Sequence, residues 1–164
     1  MTYTNMLSLL SKPYELDRIV KDNNVELTNK DMEFIATQSL FRNNFKMFKH
    51  LFECYEFKPT IEGKSWGKYV DPYGSIFIHN IVSTHLNIDT YPFIKYLVEV
   101  YGMDPRVKEY SKENILYKAI KYDNVHIVKY LVEEQGMVYK QLPDMPPLKP
   151  GSNSHAFLRS KGMM

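Results

Sequence analysis

An internal repeat of 34 residues constrains the fold of this chain more than any other feature. Residues 93–103 and 127–137 align at this offset, and eight of their eleven positions match or exchange one aliphatic residue for another. A third copy, residues 47–53, lies 46 residues before the copy that starts at 93 and keeps its apolar phase. Self-similarity at such a period is typical of stacked structural repeats, so the chain is predicted to form a repeat architecture.

Each copy is predicted to close a unit of two helices. In the last unit, Leu116, Ala119 and Ile120 fall at i, i+3 and i+4, which is the apolar face of one helix. A polar break follows, then a second apolar stripe, and Gly136 stands where a left-handed helix cap belongs. Gly102 has the same place in the preceding unit, so both glycines are expected to adopt positive φ.

The pattern also predicts which side chains form the core. Apolar residues that recur at equivalent positions of the helix pairs should face one another, because a single pair cannot bury its apolar face alone. We expect ten of these residues to be buried: Phe48, Leu51, Ile94, Leu97, Leu116, Ala119, Ile120, Ile127, Val128 and Leu131.

The last unit resembles the ankyrin repeat. From Leu116 to Gly136 it reads Leu-x-x-Ala, a polar break, Ile-Val-Lys-Tyr-Leu-Val and a closing Gly. The resemblance implies an all-α fold, a short ankyrin-like helical-repeat solenoid of about three to four helix pairs. The Thr-Pro-Leu-His opening of the family is absent, and Asn114-Ile115-Leu116-Tyr117 stands in its place.

Three regions are predicted along the chain. Residues 1–24 form an N-terminal helical cap or partial repeat, with residues 6–10 and 15–21 as helices and Pro13 at the start of the second. Residues 25–139 form the repeat domain, in which glycines and prolines mark residues 57–73 as an inserted loop. Residues 140–164 form a Pro-rich tail with no apolar period, expected to be extended and ordered only by a partner.

Composition excludes several classes of protein. A net charge of +2 over 164 residues does not by itself indicate a nucleic-acid or membrane partner. The chain has no continuous apolar run long enough for a transmembrane segment. Cys54 is the sole cysteine and cannot form an internal disulfide, which favours an intracellular, cytoplasmic protein. A mitochondrial or other organellar complex is the alternative, because the first residues faintly resemble a presequence.

The sequence contains no strong candidate for a catalytic or metal-binding site. Residues 63–65, Gly-Lys-Ser, lack the earlier glycine that a phosphate-binding loop requires. His50 and Cys54 are spaced i, i+4 and could face one metal ion, but no second pair completes a zinc site. Cys54 follows Leu51 on a core-facing helix, so we expect its thiol to be buried. We therefore predict a non-enzymatic protein with no cofactor, no metal and no small-molecule substrate.

The predicted partner is another protein. Exposed aromatic residues are favoured anchors at interfaces, which makes five residues candidate contacts: Trp66, Tyr69, Tyr73, Tyr117 and Tyr122. The favoured hypothesis is an accessory or scaffold subunit of a larger protein assembly, docked through the inserted loop and the tail. The alternative is a free ankyrin-type adaptor, or a viral or bacterial effector, that captures a soluble partner.

A nucleic-acid-binding accessory protein is the alternative of another class. Lysines interleave with tyrosines on the last two helix pairs, a combination that can hold single strands. The structural interpretation is a solvated helix face whose tyrosines cover the edge of the core. In that case, neighbouring acids offset the charge of the lysines. The residues concerned are Lys95, Lys118, Lys121 and Lys129 with Tyr96, Tyr117, Tyr122 and Tyr130.

Overall fold

The structure is a computed structural model, and it describes residues 12–59, 75–83, 89–108, 113–140 and 149–164. Within these ranges every regular element is a helix, which confirms the predicted all-α class. The helices are α1 (Pro13–Asp22), α2 (Asn29–Phe41), α3 (Phe45–Cys54), α4 (Ser75–Val82), α5 (Tyr91–Glu99), α6 (Ile115–Lys121), α7 (Val125–Lys129) and α8 (Asn153–Ser160). A π-helical turn, Tyr130–Glu134, continues α7.

The helices pack in consecutive pairs. α2 lies against α3, α4 against α5 and α6 against α7. The second helix of each pair also contacts the second helix of the next, so α1, α3, α5 and α7 follow one another in a row. In the other row, α4 contacts α6. The core therefore lies between two rows of helices, where each pair covers the apolar face of its neighbour.

Asparagine side chains cap the first turns of two of the second helices, α3 and α7. The side-chain oxygen of Asn44 accepts a hydrogen bond from the Met47 N–H at 3.1 Å, and that of Asn124 accepts one from the Ile127 N–H at 3.4 Å. Such caps satisfy backbone donors that the first helical turn leaves free. Asn124 also donates to the Thr90 hydroxyl at 3.2 Å. Because Thr90 lies 34 residues earlier, this bond joins equivalent positions of consecutive units.

A residue in the left-handed conformation follows each of α3, α5 and the π-helical turn that continues α7. This conformation was predicted for two of these residues, Gly102 and Gly136. Gly102 and Gly136 have φ of 83° and 62°, and the N–H of Met137 donates to the Leu131 carbonyl at 2.9 Å. Glu56 takes the same place after α3 with a φ of 50°. A side chain in this conformation is strained, so glycine is favoured there but the fold does not require it.

The predicted core is confirmed. None of the ten residues expected to be buried is more than 4% exposed. Aromatic rings join the units, and the rings of Phe48 and Phe93 meet edge to face with centroids 5.0 Å apart. This agreement follows from the repeat, because an offset that preserves the apolar phase places equivalent residues in one layer.

The predicted extended tail is wrong over its last part. Residues Asn153–Ser160 form α8, which packs against α7 and buries Leu158 completely. Ser152 caps α8 by accepting a hydrogen bond from the His155 N–H at 3.1 Å. The sequence offers little sign of this helix, because it is only two turns long and its apolar face becomes apparent only once α7 is beside it.

The boundary of the inserted loop also needs correction. Phe57 is 1% exposed, and its ring meets that of Phe52 with centroids 5.1 Å apart. It therefore belongs to the core, and Pro59 is buried as well. Residues 60–73, the rest of the predicted insertion, lie outside the described residues, as does the predicted helix at 6–10. α1 begins at Pro13, as expected.

Candidate protein-binding surface

α3 and α5 lie side by side and run in the same direction. Near their starts, the rings of Phe45 and Phe93 have centroids 5.3 Å apart. Just beyond α5, the ring of Tyr101 meets that of Phe52, near the end of α3, at 4.9 Å. Contacts of start with start and of end with end fix the parallel arrangement.

A groove of about 370 Å³ opens along this junction. Its apolar part is formed by Phe45, Tyr91, Tyr96 and Val100. Val100 is 67% exposed and the adjacent Tyr101 is 39% exposed, so the end of the groove presents apolar surface to solvent. Exposed apolar side chains that adjoin a groove, rather than standing alone, are typical of interaction sites.

Two ion pairs line the same groove. Lys49 lies 3.4 Å from Glu53 on α3, and Lys95 lies 3.7 Å from Glu99 on α5. Because the helices are parallel, both lysines lie nearer one end of the groove and both glutamates nearer the other. In each pair the lysine precedes the glutamate, which is the order that stabilises a helix less.

The next junction, between α5 and α7, is closed by a side-chain clasp. The Lys95 ammonium pairs with the Glu134 carboxylate at 2.9 Å and lies over the Tyr130 ring, 5.5 Å from its centroid. Hydrogen bonds with Glu134 and then Tyr91 raise the pKa of Lys95 above its usual value. The ring and the acid of this clasp are spaced i, i+4 on one helical face.

The junction between α7 and α8 has a related clasp. Lys129 lies over the Phe157 ring, 5.8 Å from its centroid, and Lys161 pairs with Glu133 at 2.6 Å. Phe157 and Lys161 are again spaced i, i+4. An aromatic ring and a charged group one turn apart therefore bridge both of these successive junctions.

The junction between α3 and α5 lacks this clasp. Lys49 is the equivalent of Lys95, and the residue equivalent to Glu134 is Val100, 34 positions earlier. Valine cannot pair with an ammonium group, and the ion pair that Lys49 makes is with Glu53 of its own helix. The groove lies at the junction where the repeat leaves out the bridging acid.

The residues predicted from sequence as partner contacts do not form this surface. Trp66, Tyr69 and Tyr73 lie outside the described residues. Tyr117 is 8% exposed and packs against Tyr139, with ring centroids 5.4 Å apart. Little of the Tyr117 side chain is therefore exposed to solvent.

Tyr122, the fifth candidate contact, is partly buried at the end of α6.

The sequence did not lead to a prediction of the groove, because its signal is a mismatch between copies of the repeat. Val100 stands where the next copy has Glu134, so an apolar residue occupies a solvent-facing position of the repeat. This exchange is the feature of the sequence that marks the groove.

A second cluster joins α1 to α3. The Asp17 carboxylate lies 2.7 Å from Nε2 of His50 and accepts a hydrogen bond from the Tyr55 hydroxyl at 2.7 Å. Nδ1 of His50 lies 3.3 Å from the sulfur of Cys54. Cys54 is exposed, so the prediction of a buried thiol was wrong. The side chain points along the surface beside His50, because it lies one turn beyond Leu51 but off the core-facing stripe.

The cluster is not arranged as a metal site. His50 turns one ring nitrogen to Cys54 and the opposite nitrogen to Asp17, so one ion cannot take all three groups as ligands. In the part of the chain that the structure describes, no group of three or more His, Cys, Asp or Glu side chains is placed to hold a metal ion.

Four of the eight lysines and tyrosines weighed for nucleic-acid binding are engaged in the fold. Tyr96 and Tyr130 are 6% and 2% exposed, which leaves their ring faces covered. The Lys95 charge is shared with two glutamates, and Lys129 lies on an aromatic ring of α8. Stacking of bases requires free ring faces, so these tyrosines do not provide it.

Comparison with known protein families, curated proteins and solved structures found no match to this chain. Among the described helices, none is both long enough and apolar enough to cross a bilayer.

Proposed function

We propose that this chain is a non-enzymatic protein–protein interaction module, built as a short ankyrin-like solenoid of three to four helix pairs. Its stacking supports the repeat assignment. The rings of Phe45 and Tyr96 meet edge to face at 5.8 Å, and those of Tyr91 and Tyr130 meet edge to face at 5.6 Å. These are the same two repeat positions at successive junctions, so one geometry is used twice.

The observation that carries the proposal is the open junction between α3 and α5. It combines a groove, exposed apolar side chains at Val100 and Tyr101, and a rim of charged residues. Protein interfaces have this composition, with an apolar centre, aromatic anchors and a polar rim. The family resemblance points the same way, since ankyrin-like proteins present a rigid surface to another protein.

For the role of the module in the cell, we keep the hypothesis drawn from the sequence but drop one argument for it, the docking of the tail. An accessory or scaffold subunit of a larger assembly is favoured, and a free adaptor or effector is the alternative. Because α8 packs on its own chain, the tail is no longer an argument for docking to a neighbour. Trp66, Tyr69 and Tyr73 of the insertion stay second candidate contacts. The exposed thiol of Cys54 suits a reducing, intracellular compartment.

Co-purification from the native source tests the proposal. We expect Val100→Arg to reduce the recovery of co-purifying proteins severalfold, because it places a charge in the apolar end of the groove. Val138→Arg is the matched control, since Val138 is 61% exposed and does not line the groove. If both variants recover the same proteins in the same amounts as the wild-type chain, the groove is not the binding surface.

A further inference from the structure

The junctions of α3 with α5, of α5 with α7 and of α7 with α8 differ in one respect. A ring and a charged group spaced i, i+4 bridge α5 to α7 and α7 to α8, through Tyr130 with Glu134 and through Phe157 with Lys161. Between α3 and α5, Val100 stands at the position of the bridging acid, and among the described residues a groove is left in place of the bridge.

We propose that an amphipathic helix of a partner protein supplies the missing clasp at this junction. An aromatic side chain of that helix packs into the groove against Phe45 and Val100, which line it. A carboxylate one turn later, at i+4, pairs with Lys49. This inference rests on the proposed function, and it names the chemistry of the partner.

The carboxylate follows from the charges of the groove. Lys95 is already engaged by Glu134 and Glu99 from two helices, whereas Lys49 has Glu53 of its own helix at 3.4 Å. That intrahelical pair is exposed, so it is weak and readily shared with a second acid. Lys49 is therefore the cation of this groove best placed for an incoming carboxylate.

The helical form of the partner follows from the neighbouring junctions. Both closed junctions receive their ring and their charged group from one helical face, because residues four apart are neighbours there. The glutamates at the other end of the groove disfavour a uniformly acidic segment. The partner helix is accordingly amphipathic, with an acid at the lysine end and a neutral or basic residue near Glu53 and Glu99.

Binding of a synthetic peptide to the full chain tests this inference. The probe is a hydrocarbon-stapled helical peptide with a fluorophore and a Tyr-x-x-x-Glu face, and its partner probe has Gln in place of Glu. Fluorescence anisotropy should give about threefold weaker binding for the Gln peptide, since an exposed ion pair contributes only modestly to affinity. In the Lys49→Gln chain the two peptides should bind equally.

A variant that closes the groove provides a second test. Val100→Glu places an acid where α7 has Glu134, so it should pair with Lys49, retain the fold and reduce binding of the Glu peptide at least tenfold. Val100→Gln has nearly the same size without the charge and should weaken binding much less. Far-UV circular dichroism and the melting temperature establish that both variants are folded.

The possible outcomes separate this inference from the proposed function. If the Glu peptide does not bind, or binds equally to the wild-type, Lys49→Gln and Val100→Glu chains, the inference is overturned. The proposed function stands in that case if Val100→Arg still loses its co-purifying proteins and Val138→Arg retains them. If Val100→Arg loses none, the surface itself is the wrong one and both fail.

Discussion

Cys54 illustrates how a single side chain departs from its helical pattern. It follows Leu51, which is fully buried, yet its thiol is exposed beside His50. Partial burial and the negative charges of Asp17 and Glu53 raise the pKa of the Cys54 thiol. The group is therefore accessible but rests as the protonated thiol, which is the poorer nucleophile.

We expect Cys54 to react fully with Ellman's reagent in the folded chain, but more slowly at pH 8 than a free cysteine peptide. The rate should rise with pH through a range above the usual thiol pKa. Asp17→Asn should accelerate the reaction at pH 8, because removal of a nearby negative charge favours the thiolate. Asp22→Asn, which changes the same charge at the far end of α1, should have no such effect.

Two results would contradict this account. A thiol that reacts only after denaturation would mean that Cys54 is buried. A slower reaction in Asp17→Asn would mean that Asp17 activates the thiol by orienting His50 as a base, rather than opposing thiolate formation by its charge.

At the scale of the helices, the first turn of α8 is bound by one side chain of the turn between α6 and α7. The Asp123 carboxylate accepts hydrogen bonds from the Ser154 N–H at 2.7 Å and the Asn153 N–H at 3.2 Å. A carboxylate at this end of a helix satisfies free donors and complements the helix dipole. Partial burial acts to raise the pKa of Asp123, but the bonds from Ser154 and Asn153 outweigh it and hold that pKa below its usual value.

Docking of α8 should therefore depend on pH in one direction. Because the pKa of Asp123 is lower in the folded chain, its contribution is complete above the usual carboxyl value of about 4 and is lost as pH falls through the lowered value. We expect the Leu158 methyl resonances to keep their buried shifts from pH 7 to 5 and to move toward random-coil values in more acidic solution.

Asp123→Asn provides the matched test. Asparagine tolerates the positive φ of 53° found at this position, so the backbone is not strained by the change. It removes the charge, and α8 should be destabilised by about 0.5–1 kcal/mol at pH 7. If the Leu158 resonances respond to acid identically in wild type and variant, another carboxylate governs the docking.

For the molecule as a whole, α8 is the last helix of the stack. It packs on α7 and uses the same kind of clasp that joins α5 to α7. A repeat array needs a terminal element that covers the apolar face of its last unit. α8 meets this need with a short helix instead of a complete pair.

Truncation after Lys140 should consequently destabilise the chain. Loss of the buried Leu158 side chain alone lowers the free energy of unfolding by about 2 kcal/mol. In a chain of this size, that loss lowers the melting temperature by about 4–8 °C. Leu158→Ala should reproduce most of this loss in the intact chain. An unchanged melting temperature after truncation would show that α8 contributes nothing to the stack.

The repeat in the sequence was sufficient to predict the helix pairs, the ten core residues and the positive φ of Gly102 and Gly136. These properties depend on local periodicity and on one offset, so they can be read along the chain. The left-handed conformation of Glu56 was missed because the αL conformation does not favour a glutamate.

Tertiary structure alone decided the docking of α8, the exposure of Cys54 and the open junction at Val100. The docking of α8 depends on contacts between residues about 30 positions apart, such as Ser154 with Asp123. The open junction is lined by residues about 50 positions apart, such as Phe45 and Tyr96. Repeat periodicity places such residues on the same face. Whether two such residues meet depends on which side chains stand at those positions and on how closely the two helices approach. The sequence states the side chains, but only packing determines the distance between the helices.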